Sequence, residues 1–340
     1  MDIGKLIFNV AVLFIMMLPG IVLKKCNMCP EGFGKGISNL VLYIAQPALV
    51  LYAYISASAR FSDIWQNVLW VFILSVVAHV LFAVVAMLLF RGATPARRKM
   101  LRFATIFSNA AFMGIPLVEA VIGPEAAIYA SIYNITFNFF LWTLGVHLCT
   151  HDEGADLDGD GDADLRDAHL SAVKHTRAAR SLLKVLLHPV TIASVAGLAL
   201  LIFGVDLAAI EGAGLSIISD SLYMLKCLVA PLSMVVIGLR LTEVNFRGVL
   251  RDFHMYLFLV LRHFVLPLAV LGITLLLRTL GVPISDVALL VIVIMAATPA
   301  ATSATMFAEM YDCDAVYVSR LVVISTVLCI ATMPLVVMLI

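Results

Sequence analysis

Charge is what this chain has little of. Only 13% of its 340 residues are charged, against about 25% in a soluble domain. With 63% apolar residues and a mean hydropathy of +1.07, the composition is that of a polytopic membrane protein. Neither sign dominates, at 22 basic against 22 acidic residues, so the bulk basic field that would draw nucleic acid is missing. Disulfide architecture is absent too. Of the six cysteines, Cys149, Cys227, Cys313 and Cys329 are scattered in or beside apolar segments. Cys26 and Cys29 form a lone CxxC with no second pair and no nearby histidine, which reads as loop cysteines and not as a metal or redox site. No Gly-x-Ser-x-Gly with a matching histidine, no nucleophile with its base, no phosphate-binding loop and no metal-ligand cluster in an apolar segment occurs, which excludes the familiar membrane-enzyme constellations.

What is there is apolar length. Crossing ~30 Å of hydrocarbon takes about 20 residues, and on that measure ten spans are expected, at 3–23, 37–55, 64–90, 103–122, 126–148, 182–203, 217–239, 253–277, 287–308 and 315–339. The first is expected to be retained. It is followed by Lys24 and Lys25 and carries no small-residue cleavage site.

The two halves repeat. Span two carries Gln46-Pro47 and span seven Ala230-Pro231; span four carries Gly114-Ile115-Pro116 and span nine Ala297-Thr298-Pro299. Pro47 and Pro116 are 69 positions apart, and Pro231 and Pro299 are 68 apart. Five spans per copy is odd, so the second copy lies upside down relative to the first, the inverted-repeat layout of many secondary transporters. The expected fold is therefore an all-α integral membrane protein with ten transmembrane helices in a 5+5 inverted repeat. Residues 1–150 form the first repeat, 151–181 a loop and 182–340 the second repeat.

Proline removes a backbone donor and clashes with the preceding turn, so spans four and nine are expected to break at Met113 to Pro116 and around Pro299. Backbone freed at membrane depth is tolerated only inside protein or beside a watery cavity. Half-helix N-termini there present free amides and positive dipole ends, which suit an anion.

Loop charge gives the orientation. Sixteen loop lysines and arginines fall on one face and only Lys5, Arg60 and Arg278 on the other. The basic face is expected to be cytoplasmic, which puts both termini outside. The loop 151–181 holds Asp156, Asp158, Asp160, Gly161, Asp162, Asp164 and Asp167. This spacing matches a calcium loop whose last ligand is Asp in place of Glu. The reading set against it, with no clear helix before the run and no partner loop, is a solvated acidic linker.

The motif Asn109-Ala-Ala-Phe-Met-Gly114-Ile115-Pro116-Leu117, Pro231 followed by Gly238, and Pro299 followed by Ala308-Glu309-Met310-Tyr311 resemble the auxin efflux carrier family over nearly the whole chain. That family comprises the plant PIN-formed carriers and prokaryotic organic-acid transporters of the malonate and malate type. The resemblance implies a homodimer in which spans one, two, six and seven form a scaffold. Spans three to five and eight to ten would form a transport domain whose crossing helices, spans four and nine, carry substrate by an elevator motion. The chain departs from the plant pattern at Ala300, where those carriers have a polar residue, and in its shorter loop. A small mono- or dicarboxylate is therefore a better expectation than auxin.

The candidate substrate residues are Asn109, Gly114, Ile115 and Pro116 in span four, and Thr298, Pro299, Thr302 and Ser303 in span nine. Asn134 and Asn138, four apart on one face of span five, extend the polar wall or bond between helices. Arg320 pairs either with substrate or with Glu309, Asp312 or Asp314. Glu119 is a candidate proton carrier or a solvated boundary residue. His79, Lys226, Arg262 and His263 read as snorkelling or paired groups, and Gln46 as satisfying its own kinked helix. No organic cofactor is indicated, and the coupling ion, a proton, sodium or none, stays open. A ligand-binding receptor on the same fold is the alternative function.

Overall fold

The computed structural model describes residues 3–30, 32–55, 61–150, 187–203, 213–242, 252–311 and 313–340. The candidate calcium ligands from Asp156 to Asp167 lie outside the described residues. The helices in chain order are α1 (Ile3–Ile15), α2 (Leu18–Lys25), α3 (Phe33–Leu40), α4 (Gln46–Ile55), α5 (Phe61–Leu89), α6 (Pro95–Ile106), α7 (Ile115–Val121), α8 (Pro124–Phe140) and α9 (Val146–Thr150). After the loop come α10 (Pro189–Ile202), α11 (Ala213–Lys226), α12 (Val229–Leu241), α13 (Phe253–Val260), α14 (Leu266–Thr279), α15 (Asp286–Ala297), α16 (Ser303–Met310) and α17 (Ala315–Val337). Among the described residues the only extended pairing is one isolated bridge.

Among the described residues, six stretches are long and apolar enough to cross a membrane: Phe8–Lys25, Phe33–Ile55, Ile64–Leu89, Ser216–Leu241, Phe253–Thr279 and Ala315–Val337. Three shorter apolar helical stretches, Ala110–Val121, Pro189–Leu200 and Asp286–Ala297, accompany them. The outer faces are as apolar as the inner ones. On α5, Val71, Leu74, Ala78 and Phe82 are buried while Leu69, Phe72, Val80 and Val84 are exposed, the all-round pattern of a helix standing in lipid.

The prolines act through widened turns. Stretches of π-helix occupy Val41–Ala45, Ala110–Gly114 and Leu261–Val265, and Pro47, Pro116 and Pro267 each follow two residues later. A proline nitrogen donates nothing and crowds the carbonyl four residues back; a turn widened to the i→i−5 pattern moves that carbonyl aside. The interruption of span four is accordingly not at Met113 to Pro116. Helix α6 ends at Ile106, and helical backbone resumes at Ala110 and runs through Pro116 into α7.

Helix α4 packs along α10 and α11, and α2 along α12. Helices α5 and α15 pack on α8, and α14 on α15. The contact of α2 with α12 is backbone to backbone: a Cβ added at Gly20 would sit 2.2 Å from the Val235 carbonyl oxygen, and one at Gly238 2.1 Å from that of Met17.

Candidate functional site

The two helix interruptions lie against each other. Ser108 and Ala300 form an antiparallel bridge, in which the Asn109 N–H donates to the Pro299 carbonyl at 2.7 Å and the Ala301 N–H to the Phe107 carbonyl at 2.9 Å. The Ala300 N–H donates to Ser325 Oγ of α17 at 3.0 Å. Backbone groups that leave the helical ladder in the apolar interior thus find one another.

Below the bridge, the carbonyls that end α6 and α15 converge on one guanidinium. Arg262, fully buried, donates to the carbonyls of Thr105 (3.1 Å), Ala296 (3.1 Å) and Thr298 (3.1 and 2.9 Å). Helix C-termini leave orphan carbonyls and a negative dipole end, and the planar five-donor fork of arginine answers both helices at once. The Phe82 ring lies 5.5 Å from the guanidinium carbon.

Above the bridge, the segments restart beside a cavity. It encloses about 120 Å³ and is lined by Ser108, Asn109, Ala111 and Phe112 from the first interruption and by Ala301, Thr302 and Ser303 from the second. Asn134, Phe137 and Asn138 of α8, Trp142, Tyr43, Gln46, His188, and Met306, Phe307 and Met310 of α16 close it. The buried polar atoms on this wall without a hydrogen-bond partner include Gln46 Oε1, Asn109 Nδ2, Asn134 Oδ1, His188 Nδ1, Thr302 Oγ1 and Ser303 Oγ. A buried polar atom without a partner costs about 1–3 kcal/mol. Several on one wall mark a place built for a ligand or water that supplies the missing bonds.

The sequence candidates therefore separate. Asn109, Asn134, Asn138, Thr302 and Ser303 line the cavity, and Asn138 Nδ2 also donates to the Asn134 carbonyl at 2.9 Å. Gly114, Ile115, Pro116, Thr298, Pro299, Arg320 and Glu119 are not among the lining residues. The Thr298 hydroxyl donates to the Met295 carbonyl at 2.9 Å, and the Pro299 carbonyl is taken by Asn109, so both hold the interruption together. Gly114 lets α15 approach, since a Cβ there would lie 2.7 Å from Met295 Sδ. Glu119 forms an ion pair with Lys226 at the end of α11, and the Lys226 ammonium lies 4.6 Å from the Tyr52 ring centroid and 5.3 Å from that of Tyr223. Arg320 Nε is buried without a hydrogen-bond partner; the side chains of Glu309 and Asp312 lie outside the described residues.

Two contributors differ from their sequence reading. Gln46 does not serve its own helix: its Nε2 donates to the Ala111 carbonyl in the widened turn, the i−5 partner that Pro116 cannot bond because it has no N–H. Arg262 neither snorkels nor meets a described carboxylate. Its partners lie 34, 36 and 157 residues away in sequence, so no local signal reveals them beyond its being an ionisable group in an apolar run. His188 lines the cavity with Nδ1 buried and unpartnered, and its ring lies 5.8 Å from that of Tyr43.

A family model described as membrane transport protein matches residues 6–337. No curated protein matches the chain.

Proposed function

The chain belongs to the membrane transport protein family, that of the auxin efflux carriers, and starting from its being a membrane transporter we propose that it is a secondary carrier for a small organic carboxylate. The observation that carries this reading is the set of unpartnered polar atoms, from both halves of the chain, around one cavity at the paired interruptions. Among the described residues, no Asp, Glu, Lys or Arg lines that cavity. An anion there would be held by the amides that open the restarted segments at Ala110 and Ser303, by the Asn109 amide and by the Thr302 and Ser303 hydroxyls, with the positive dipole ends behind them. The volume suits a molecule of a few carbons; an apolar void of about 150 Å³ takes benzene.

The architecture belongs to the same proposal. Ten spans are arranged as an inverted 5+5 repeat, α6–α7 and α15–α16 being the crossing helices. Spans one, two, six and seven form the scaffold of a homodimer, and the remaining spans form a transport domain that moves as an elevator, with both termini outside the cell membrane. The packing of α4 on α10 and α11 and of α2 on α12, and that of α5 and α15 on α8 and of α14 on α15, supports this division, with α4 and α10 meeting α8 where the two parts face each other.

The test has two stages. Small mono- and dicarboxylates are screened for ligand-induced stabilisation of the purified protein, a ligand that binds only the folded state raising its melting temperature. The best ligand is then followed, radiolabelled, by counterflow in proteoliposomes. Accelerated exchange supports a carrier; saturable binding without exchange makes the protein a receptor; neither refutes the carboxylate site.

A further inference from the structure

The cavity does not end at its own walls. Met306 and Met310 of α16 line it and also line a second space of about 250 Å³, together with Lys35, Ser38 and Arg240. Lys35 and Arg240 in turn line a third space of about 630 Å³, where they are joined by Lys24, Cys29, Pro30, Gly32, Phe33, Gly34, Val236 and Leu239. The three spaces share lining residues in series, and the number of described basic residues rises from one to the next. Among the described residues, no Asp, Glu, Lys or Arg lines the first, two basic residues line the second and three the third, and no acidic side chain lines any of them.

Two of the cations have a helix-based reason to be there. Lys24 and Arg240 sit in the last turns of α2 and α12, where a positive charge meets the negative end of the helix dipole. Lys35 has none. It lies in the first turn of α3 (Phe33–Leu40), at the positive end of the dipole, where a cation is disfavoured. Its placement points to a negative charge that visits the chamber.

We propose that the chamber bounded by Lys24, Lys35 and Arg240 is an anion antechamber. It gathers free small carboxylates from the solvent on that face and passes them between Met306 and Met310 to the cavity at Asn109. The inference rests on the carboxylate reading of that cavity. Methionine suits the passage, because its unbranched, polarisable side chain repacks around a moving solute. The antechamber works by long-range attraction, so it governs capture at low substrate concentration and low salt and leaves the turnover of a filled cavity alone.

The experiment is initial-rate uptake of the best carboxylate from the screen, with Lys35→Gln and Lys35→Gln/Arg240→Gln compared with the parent in phosphatidylcholine vesicles. At low ionic strength KM is expected to rise about fivefold in the double variant with the maximal rate unchanged, and the difference to vanish near ~1 M salt, where the Debye length is about 3 Å. Lys35→Arg is expected to keep the parent KM. A parent that transports while the variants match it in KM and salt dependence overturns the antechamber and leaves the carboxylate site standing. A KM effect found only in vesicles containing phosphatidylglycerol assigns the chamber to a lipid phosphate and overturns the free-carboxylate assignment. A parent that binds and transports no carboxylate overturns the reading on which the inference rests.

Discussion

Arg262 holds the Thr298 carbonyl through two nitrogens, Nε at 3.1 Å and Nη2 at 2.9 Å, while Nη1 holds that of Thr105. Hydrogen bonds from a charged donor are worth about 1.5–3 kcal/mol each, and each carbonyl left buried without a partner costs about 1–3 kcal/mol. Arg262→Gln is therefore expected to lower the melting temperature sharply or to prevent accumulation of folded protein. Arg262→Lys, a point charge without the planar fork, is expected to recover only part of the loss. Thermal unfolding in detergent measures both, and a variant as stable as the parent would show that the two C-termini hold without it.

Asn109→Ala separates binding from folding. The backbone bond to Pro299 survives the substitution, and Nδ2 has no partner to lose. The expected result is an unchanged melting temperature without ligand and a carboxylate affinity lowered by about ten- to a hundredfold, from ~1.5–3 kcal/mol for a hydrogen bond to a charged ligand. Unchanged affinity removes Asn109 from the site.

Glu119 and Lys226 connect α7 to the end of α11, with side chains 20% and 11% exposed. Their coupling is expected between the values for surface and buried pairs, about 1–3 kcal/mol. A double-mutant cycle of Glu119→Gln and Lys226→Met reads it from unfolding. The same Glu119→Gln protein decides the proton question: transport that keeps its pH dependence assigns the pair to structure, and transport that loses it makes Glu119 the proton carrier.

Topology is open to cysteine labelling in a background stripped of native cysteines. Gly159→Cys is expected to react only from the cytoplasmic side and Gly212→Cys only from outside, following the bias of loop Lys and Arg. Labelling of both from one side removes the inverted ten-span arrangement.

Calcium binding by the acidic run is tested on the intact protein. If Asp156 to Asp167 ligate the ion, titration is saturable and Asp160→Ala abolishes it; a flat titration leaves a solvated linker.

Much of the site was legible because prolines announce lost donors. The matched pairs Pro47–Pro116 and Pro231–Pro299 direct attention to two segments that the structure brings together at Ser108 and Ala300. The position of the first interruption was not legible, because the widened turn at Ala110–Gly114 absorbs Pro116 and Gln46 supplies the donor it lacks. Both are tertiary solutions to a local defect. Arg262 was hidden for a related reason: its partners are backbone carbonyls, which every residue has, so no side-chain pattern points to them. Glu119 was conspicuous as an acidic group in an apolar run, but its ion-pair partner was not legible, being a lysine 107 positions away. Asn134 and Asn138, on neighbouring turns of one helix, both reach the cavity wall because the spacing that put them on one face is a property of the helix alone.

The glycine contact between α2 and α12 limits where this protein can slip. Shear between helices needs side chains that roll past one another, and between Gly20 and Val235, or Gly238 and Met17, there are none to roll. Lipid tails are as apolar as the helices they surround, so close packing of this kind is what holds membrane helices together. The two helices meet as one plank, backbone on backbone, and Gly238→Ala, whose Cβ would lie 2.1 Å from the Met17 carbonyl oxygen, would pry the plank apart before it touched a substrate.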